Sequence, residues 1–146
     1  LAAVRHAEGL TAEGRAMTLR VAVDYSARWA IARAAAKVAV AAAQEGLPEA
    51  LPSSSAVQAR FRRALADVLH DPDPVRDADL IVRTGGERRL SDFLLWEAAY
   101  AELVFSPLAW PDFTGEAFED ALREYHRRER RFGRVAGEQA PAARAG

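Results

Sequence analysis

The chain has 146 residues, half of them hydrophobic, with 20 basic against 21 acidic side chains and a net charge of −1. That length suits one domain with a hydrophobic core, and the even charge gives no overall field to attract nucleic acid or an acidic membrane. The absence of cysteine removes disulfides, thiolate catalysis and cysteine-ligated zinc, and His6, His70 and His126 stand too far apart to form a ligand spacing.

Residues 1–5 open part-way through what reads as an amphipathic helix. In 18–24, Leu19, Val21 and Val23 alternate with Arg20, Ala22 and Asp24, so a strand is expected there. An alanine-rich helix runs from Ala27 to Gln44, with Ile31, Ala34, Val38 and Ala42 on one face, and Gly46 and Pro48 end it. Ser55 is placed to cap the next helix, which carries Val57, Phe61, Leu65 and Val68. Asp71-Pro72-Asp73-Pro74 marks a turn. A short buried strand over 80–83, an apolar helix over 93–100 and a further strand over 103–105 follow. Trp110-Pro111-Asp112-Phe113 reads as a rigid turn, its proline fixing the local geometry. It leads into a last helix over 114–131, with Phe118, Leu122, Tyr125 and Phe132 at helical spacing. Small residues over 141–146 are expected to form a mobile tail. Strands alternating with helices imply an α/β fold with a parallel-rich sheet flanked by helices. No apolar run approaches the roughly 18 residues that span a bilayer. With no signal-peptide pattern either, the composition is that of a cytoplasmic globular protein.

The chemistry gathers between the strand at 80–83 and the segment that follows it. Arg83-Thr84-Gly85-Gly86-Glu87-Arg88-Arg89-Leu90-Ser91 places three arginines and a glycine pair between two apolar runs. Strand, glycine-rich basic loop and helix start together collect backbone N–H groups and guanidinium forks around an anion. Arginine offers a planar two-pronged donor to phosphate oxygens, and glycine lets the backbone come close to them. A phosphate or diphosphate site is therefore expected. The competing reading is an ordinary connecting loop with solvated arginines, Arg83 being paired to Asp77 or Asp79.

Beyond spacing, the run Arg83-Thr84-Gly85-Gly86-Glu87, then Arg89-Leu90-Ser91 and Phe93-Leu94-Leu95-Trp96, closely resembles the cis-prenyltransferases, the undecaprenyl diphosphate synthase family. Ala99-Tyr100-Ala101-Glu102, Trp110-Pro111-Asp112-Phe113, Tyr125 and Arg128 to Gly133 continue the resemblance, as does Leu19 to Arg28 upstream. It implies the fold of that family, with residues 1–134 as the C-terminal part of one domain and 135–146 as a tail. The family's aspartate-containing phosphate loop and its Asn/Trp catalytic loop are expected upstream, and neither motif occurs in these residues. This polypeptide on its own is accordingly expected to be inactive, whether as a fragment or as a natural truncation.

The resemblance assigns Arg83, Arg89 and Ser91 to the diphosphate of isopentenyl diphosphate, with Gly85 and Gly86 supporting the loop. Ser91 reads equally as an N-cap, and the two roles are compatible. Glu102 is a carboxylate among apolar neighbours, which must face solvent, a cation or a partner. The matching glutamate of the family helps to bind magnesium, so the resemblance implies Mg²⁺, a hard cation suited to a diphosphate. Arg131 and Gly133 match an Arg-x-Gly motif that reaches across a homodimer towards the partner's phosphate loop. The arginine run from Arg127 also fits plain helix electrostatics, because Glu116, Glu119 and Asp120 open the same helix. With no interleaved aromatic residues it is not a nucleic-acid site. Phe93, Trp96, Tyr100 and Phe105 are assigned to core or dimer interface.

Three departures from the family pattern stand out. Asp24-Tyr25-Ser26-Ala27-Arg28 replaces the usual Asn-Tyr-Gly-Gly-Arg, Arg88 replaces a histidine and Asp92 an asparagine. They leave product length and the mode of coupling open. The reaction implied is the cis-type condensation of isopentenyl diphosphate with an allylic prenyl diphosphate, releasing pyrophosphate and a lipid product that meets the membrane surface. The alternatives are a non-catalytic partner subunit or truncated relative of the same fold, and a synthase joining its units head-to-middle.

Overall fold

In the computed structural model, residues 2–46 and 53–128 are described. They form α1 (Ala2–Thr11), α2 (Ala27–Glu45), α3 (Ser54–Val68), β1 (Leu80–Arg83), β2 (Glu102–Phe105) and α4 (Gly115–Arg127), with short 3-10 helices at Glu97–Tyr100 and Trp110–Asp112. The fold is α/β, a parallel sheet flanked by helices. β1 and β2 pair in parallel, Leu80 opposite Glu102 and Arg83 opposite Phe105.

Local chemistry sets the helix ends. Ser26 caps α2 by accepting the Trp29 N–H, and Gly46 at φ 84° follows its last turn. The cap of α3 is Ser53, which accepts the Ala56 N–H at 3.3 Å. Ser55, expected to cap this helix, lies inside it and bonds the Ser53 hydroxyl at 3.1 Å. α3 closes with His70 at φ 57° and the Asp71 N–H returning to the Ala66 carbonyl at 2.8 Å, a left-handed cap. Thr114 caps α4. That helix stops at Arg127, and Arg128 already has extended geometry, so it is shorter than the sequence pattern suggests.

The core is the seam between α2 and α3. Ala30 and Ala34 pack against Ala64, Leu65, Ala66 and Val75, rimmed by Val38, Phe61, Val68, Leu69 and Trp96. Small alanines on facing helices bring the two backbones close, and Leu65 is the largest fully buried side chain. Leu65→Ala should therefore cost about 2–5 kcal/mol, through lost burial and the cavity left behind. Denaturant unfolding checks this; a change below about 1 kcal/mol would mean that the seam collapses without penalty.

Two expected elements do not form. Residues 18–24 pair with no strand, and Leu19, Val21 and Val23 are 77%, 76% and 81% exposed. An alternating segment becomes a strand only when it pairs with a neighbouring edge, and among the described residues this segment pairs with neither β1 nor β2. Its tie to the fold is a two-pronged ion pair from Arg20 to the buried Asp71. The helix expected over 93–100 is reduced to the 3-10 turn Glu97–Tyr100, preceded by turns over 91–96. Ser91, Asp92 and Leu94 all have positive φ there, which no α-helix tolerates.

Candidate anion-binding site

β1 delivers Arg83 to its carboxyl end, the end at which α/β sheets place ligands. The Ser106 N–H donates to the Arg83 carbonyl at 2.8 Å, fixing the backbone from which the guanidinium projects. Arg83 forms no salt bridge among the described residues. Asp77, one of its candidate partners, is taken instead by Arg62 at 2.7 Å.

Gly85 and Gly86 follow at φ 87° and 77°. The space beside both is open, so positive φ is what requires glycine here. Their N–H groups are not turned to an anion: Gly85 donates to the Leu108 carbonyl at 2.7 Å and Gly86 to the Ser106 carbonyl at 2.9 Å. The glycines support the loop by pinning it beside the chain that leaves β2. They do not cradle a phosphate with their amides, as the sequence suggested.

Further along, Arg88 is exposed and forms no ion pair among the described residues, whereas Arg89 is paired with Glu87. Ser91 is exposed at φ 49°. It caps no helix, because none begins there. The structure thus puts Arg83 and the Arg88–Ser91 stretch at the two ends of one pinned loop.

The Ser91 end of that loop docks on the start of α2. The Ser26 hydroxyl donates to Asp92 Oδ2 at 2.6 Å, and the Arg28 N–H donates to Asp92 Oδ1 at 2.8 Å. The Ala27 N–H reaches the Asp92 carbonyl at 3.0 Å. The Ser26 hydroxyl, then the Arg28 N–H, hold the Asp92 carboxyl below its ordinary value. Tyr25 and Phe93 meet edge to face at 5.5 Å beside this contact. Burial, then the Glu97 charge, push the Tyr25 phenol up. Sequence reading marked positions 26 and 92 only as departures from a pattern. That they touch was not legible, because 66 positions separate them.

Glu102 is not brought into this cluster. It opens β2 opposite Leu80, three residues before the Arg83–Phe105 pair, roughly 10 Å along the strands. Its carboxylate accepts from Arg128 Nη1 at 2.9 Å, and the same nitrogen donates to the Leu103 carbonyl at 3.0 Å. Glu102, then Glu124, hold Arg128 above its ordinary value. Glu102 here fastens the end of α4 to β2. No group of three potential metal ligands occurs among the described residues. Arg131 and Gly133 lie outside those residues.

Beside the carboxyl end of β1 lies an open, mainly apolar cleft lined by Val82, Thr84, Trp110, Phe113, Thr114 and Phe118. Trp110 and Phe113 stack at 6.3 Å across the 3-10 turn before α4. Trp96, by contrast, is core, packed on Phe61 at 4.4 Å. Tyr100 and Phe93 are 64% and 41% exposed, so neither belongs to the described core.

Residues 1–133 match the prenyltransferase family described as undecaprenyl diphosphate synthase. The chain is 47% identical over 131 residues to "Isoprenyl transferase 1" of Bradyrhizobium diazoefficiens, covering 90% of this chain and 47% of that protein. It is 43% identical over 141 residues to "Isoprenyl transferase" of Neisseria meningitidis serogroup B, covering 97% and 50%. Among solved structures it resembles lavandulyl diphosphate synthase from Lavandula x intermedia in complex with dimethylallyl diphosphate. That match has a TM-score of 0.70 and 34% identity, covering 91% of this chain and 53% of the other. The chain spans about half the length of the curated relatives it matches.

Proposed function

The chain belongs to the undecaprenyl diphosphate synthase family, and from that premise we propose that the protein carrying it condenses isopentenyl diphosphate with an allylic prenyl diphosphate. The observation that carries this reading is Arg83, a guanidinium at the carboxyl end of a parallel strand with no ion pair among the described residues. Arg83, Arg89 and Ser91 would hold the diphosphate of isopentenyl diphosphate, on a loop whose glycine turn is pinned by backbone hydrogen bonds. Exposed Arg88 adds positive charge beside them. An amphiphilic substrate suits the surroundings, since an apolar cleft begins at Thr84, next to Arg83.

In the reaction the isopentenyl double bond attacks the allylic carbon. The allylic carbon–oxygen bond breaks, pyrophosphate leaves with the bonding pair, and loss of a proton from the new cation sets the cis double bond. These residues contribute position: a fixed diphosphate holds the attacking double bond at a constant distance and angle. The test is incubation of labelled isopentenyl diphosphate with an allylic diphosphate. Label should appear in a longer prenyl diphosphate, with one pyrophosphate released per unit added. A protein that binds both substrates and incorporates nothing would fit a non-catalytic subunit instead.

Magnesium is the cofactor expected from the family, through Glu102. Glu102 would be one ligand of the ion, with the others supplied from outside the described residues, once it gives up its ion pair with Arg128. No step is assigned to the metal here.

A homodimer in which Arg131 and Gly133 complete the partner's phosphate site is part of the proposal. Mixing an Arg131→Ala variant with an Arg83→Ala variant should then give heterodimers with one intact site and one doubly impaired. Activity should rise above that of either variant alone once subunits exchange. No rise, with exchange confirmed by mass, would mean that the arginine serves its own subunit. No helix among the described residues is long and apolar enough to cross a membrane. A cytoplasmic protein that meets the membrane surface through its lipid product fits the proposal.

A further inference from the structure

We propose that Asp92 is the positioning residue of the anion loop: its carboxylate, clasped by the Ser26 hydroxyl and the Arg28 N–H, fixes the Ser91 end of the loop on the start of α2 in the geometry that receives a diphosphate. This rests on the reading above that the loop holds isopentenyl diphosphate.

The clasp has four parts, all between segments distant in sequence. Both carboxylate oxygens are used, at 2.6 Å by Ser26 and 2.8 Å by the Arg28 N–H. The Asp92 carbonyl takes the Ala27 N–H at 3.0 Å. Phe93 lies edge to face with Tyr25 at 5.5 Å. The carboxylate also sits at the positive end of the α2 dipole, where it neutralises otherwise unpaired N–H groups.

What the clasp holds is a conformation the chain would not keep unaided. Ser91 and Asp92 are consecutive left-handed residues, at φ 49° and 64°, and Leu94 is a third at 48°. Left-handed geometry is unfavourable for side chains other than glycine. Without the clasp, this end of the loop would relax to ordinary φ and carry Ser91 and Arg89 with it. The other end is already fixed by the Gly85 and Gly86 N–H groups, so Asp92 controls the remaining freedom.

The chemistry of the pair is matched. The Ser26 hydroxyl accepts the Trp29 N–H at 3.2 Å, so its one proton is free to go to Asp92. Serine at 26 and aspartate at 92, each a departure from the usual residue of the resembled motif, form one donor–acceptor pair. The carboxylate is thereby spent on α2, which accounts for an acidic side chain next to a residue assigned to an anion.

Calorimetric titration of isopentenyl diphosphate, and separately of an allylic diphosphate, into the protein carrying this chain and its variants tests this. Asp92→Ala should raise the Kd for isopentenyl diphosphate about tenfold or more, as expected for lost charge-assisted hydrogen bonds. The Kd for the allylic diphosphate should stay nearly constant. Asp92→Asn keeps an acceptor for the Arg28 N–H and should retain most of the affinity. Ser26→Ala should cost less than Asp92→Ala and add little to it in the double variant, the mark of one shared network. The proposal is overturned if Asp92→Ala lowers the melting temperature but leaves isopentenyl diphosphate binding unchanged, since Asp92 is then only a cap for α2. Strictly additive Ser26 and Asp92 effects also overturn it. Failure of the unmodified protein to bind isopentenyl diphosphate would remove the functional reading itself. That result is separate from a protein that binds and is indifferent to Asp92.

Discussion

Arg83→Ala should weaken isopentenyl diphosphate binding about ten- to a hundredfold, the loss of charge-assisted hydrogen bonds worth roughly 1.5–3 kcal/mol. Binding of the allylic diphosphate should change far less, because the loop is assigned to one of the two substrates. Arg89→Ala should act in the same direction but less, since Arg89 already shares its charge with Glu87 on the surface. Arg83 has no such competing partner among the described residues, and its backbone is held by strand pairing on β1. Fold stability should barely move, because this guanidinium forms no ion pair among the described residues whose loss would loosen the fold. Titration of each substrate into each variant, with a melting curve, checks all four statements. Equal losses for both substrates would make the loop shared or structural.

The 146-residue polypeptide produced alone should be aggregation-prone or partly molten, and without prenyl-transfer activity. Met17, Leu19, Val21 and Val23 are each more than three-quarters exposed, and so is most of Trp110 at 75%. The sheet among the described residues has two strands, which leaves pairing edges open. Its helical core is built chiefly of alanines around a single large buried leucine, so little apolar burial opposes the chain entropy. Dye binding to exposed apolar surface and a broad thermal transition are the expected signs. A monodisperse species with one sharp transition would show that these residues close their own core.

The parts of the fold that were legible in the sequence are those set by local chemistry. Apolar residues at helical spacing located α2 (Ile31, Ala34, Val38, Ala42) and α3 (Val57, Phe61, Leu65, Val68), and the run from Thr114 with its early acidic residues located the start of α4. Strand β1 and the arginine at its end were plain from Leu80-Ile81-Val82-Arg83. What failed depends on contacts from elsewhere. Residues 18–24 have a strand's alternation, but pairing needs a neighbour that the pattern cannot supply. Phe93 to Tyr100 has helical composition, yet the hydrogen bonds that Asp92 makes to α2 hold the chain in left-handed geometry ahead of it. Glu102 looked like a lone carboxylate among apolar residues. Its partner Arg128 lies 26 positions on and reaches it only because α4 packs on β2. Ser26 and Asp92 were visible one at a time, and their meaning is in the pair.

The most direct test of the account is a crystal structure of the protein carrying this chain with isopentenyl diphosphate bound. The diphosphate oxygens should lie within hydrogen-bonding distance of the Arg83 guanidinium and beside Arg89 and Ser91. Gly85 and Gly86 should still donate to Leu108 and Ser106, and Asp92 should still be clasped by Ser26. A diphosphate bound elsewhere, with Arg83 turned to a carboxylate, would contradict it.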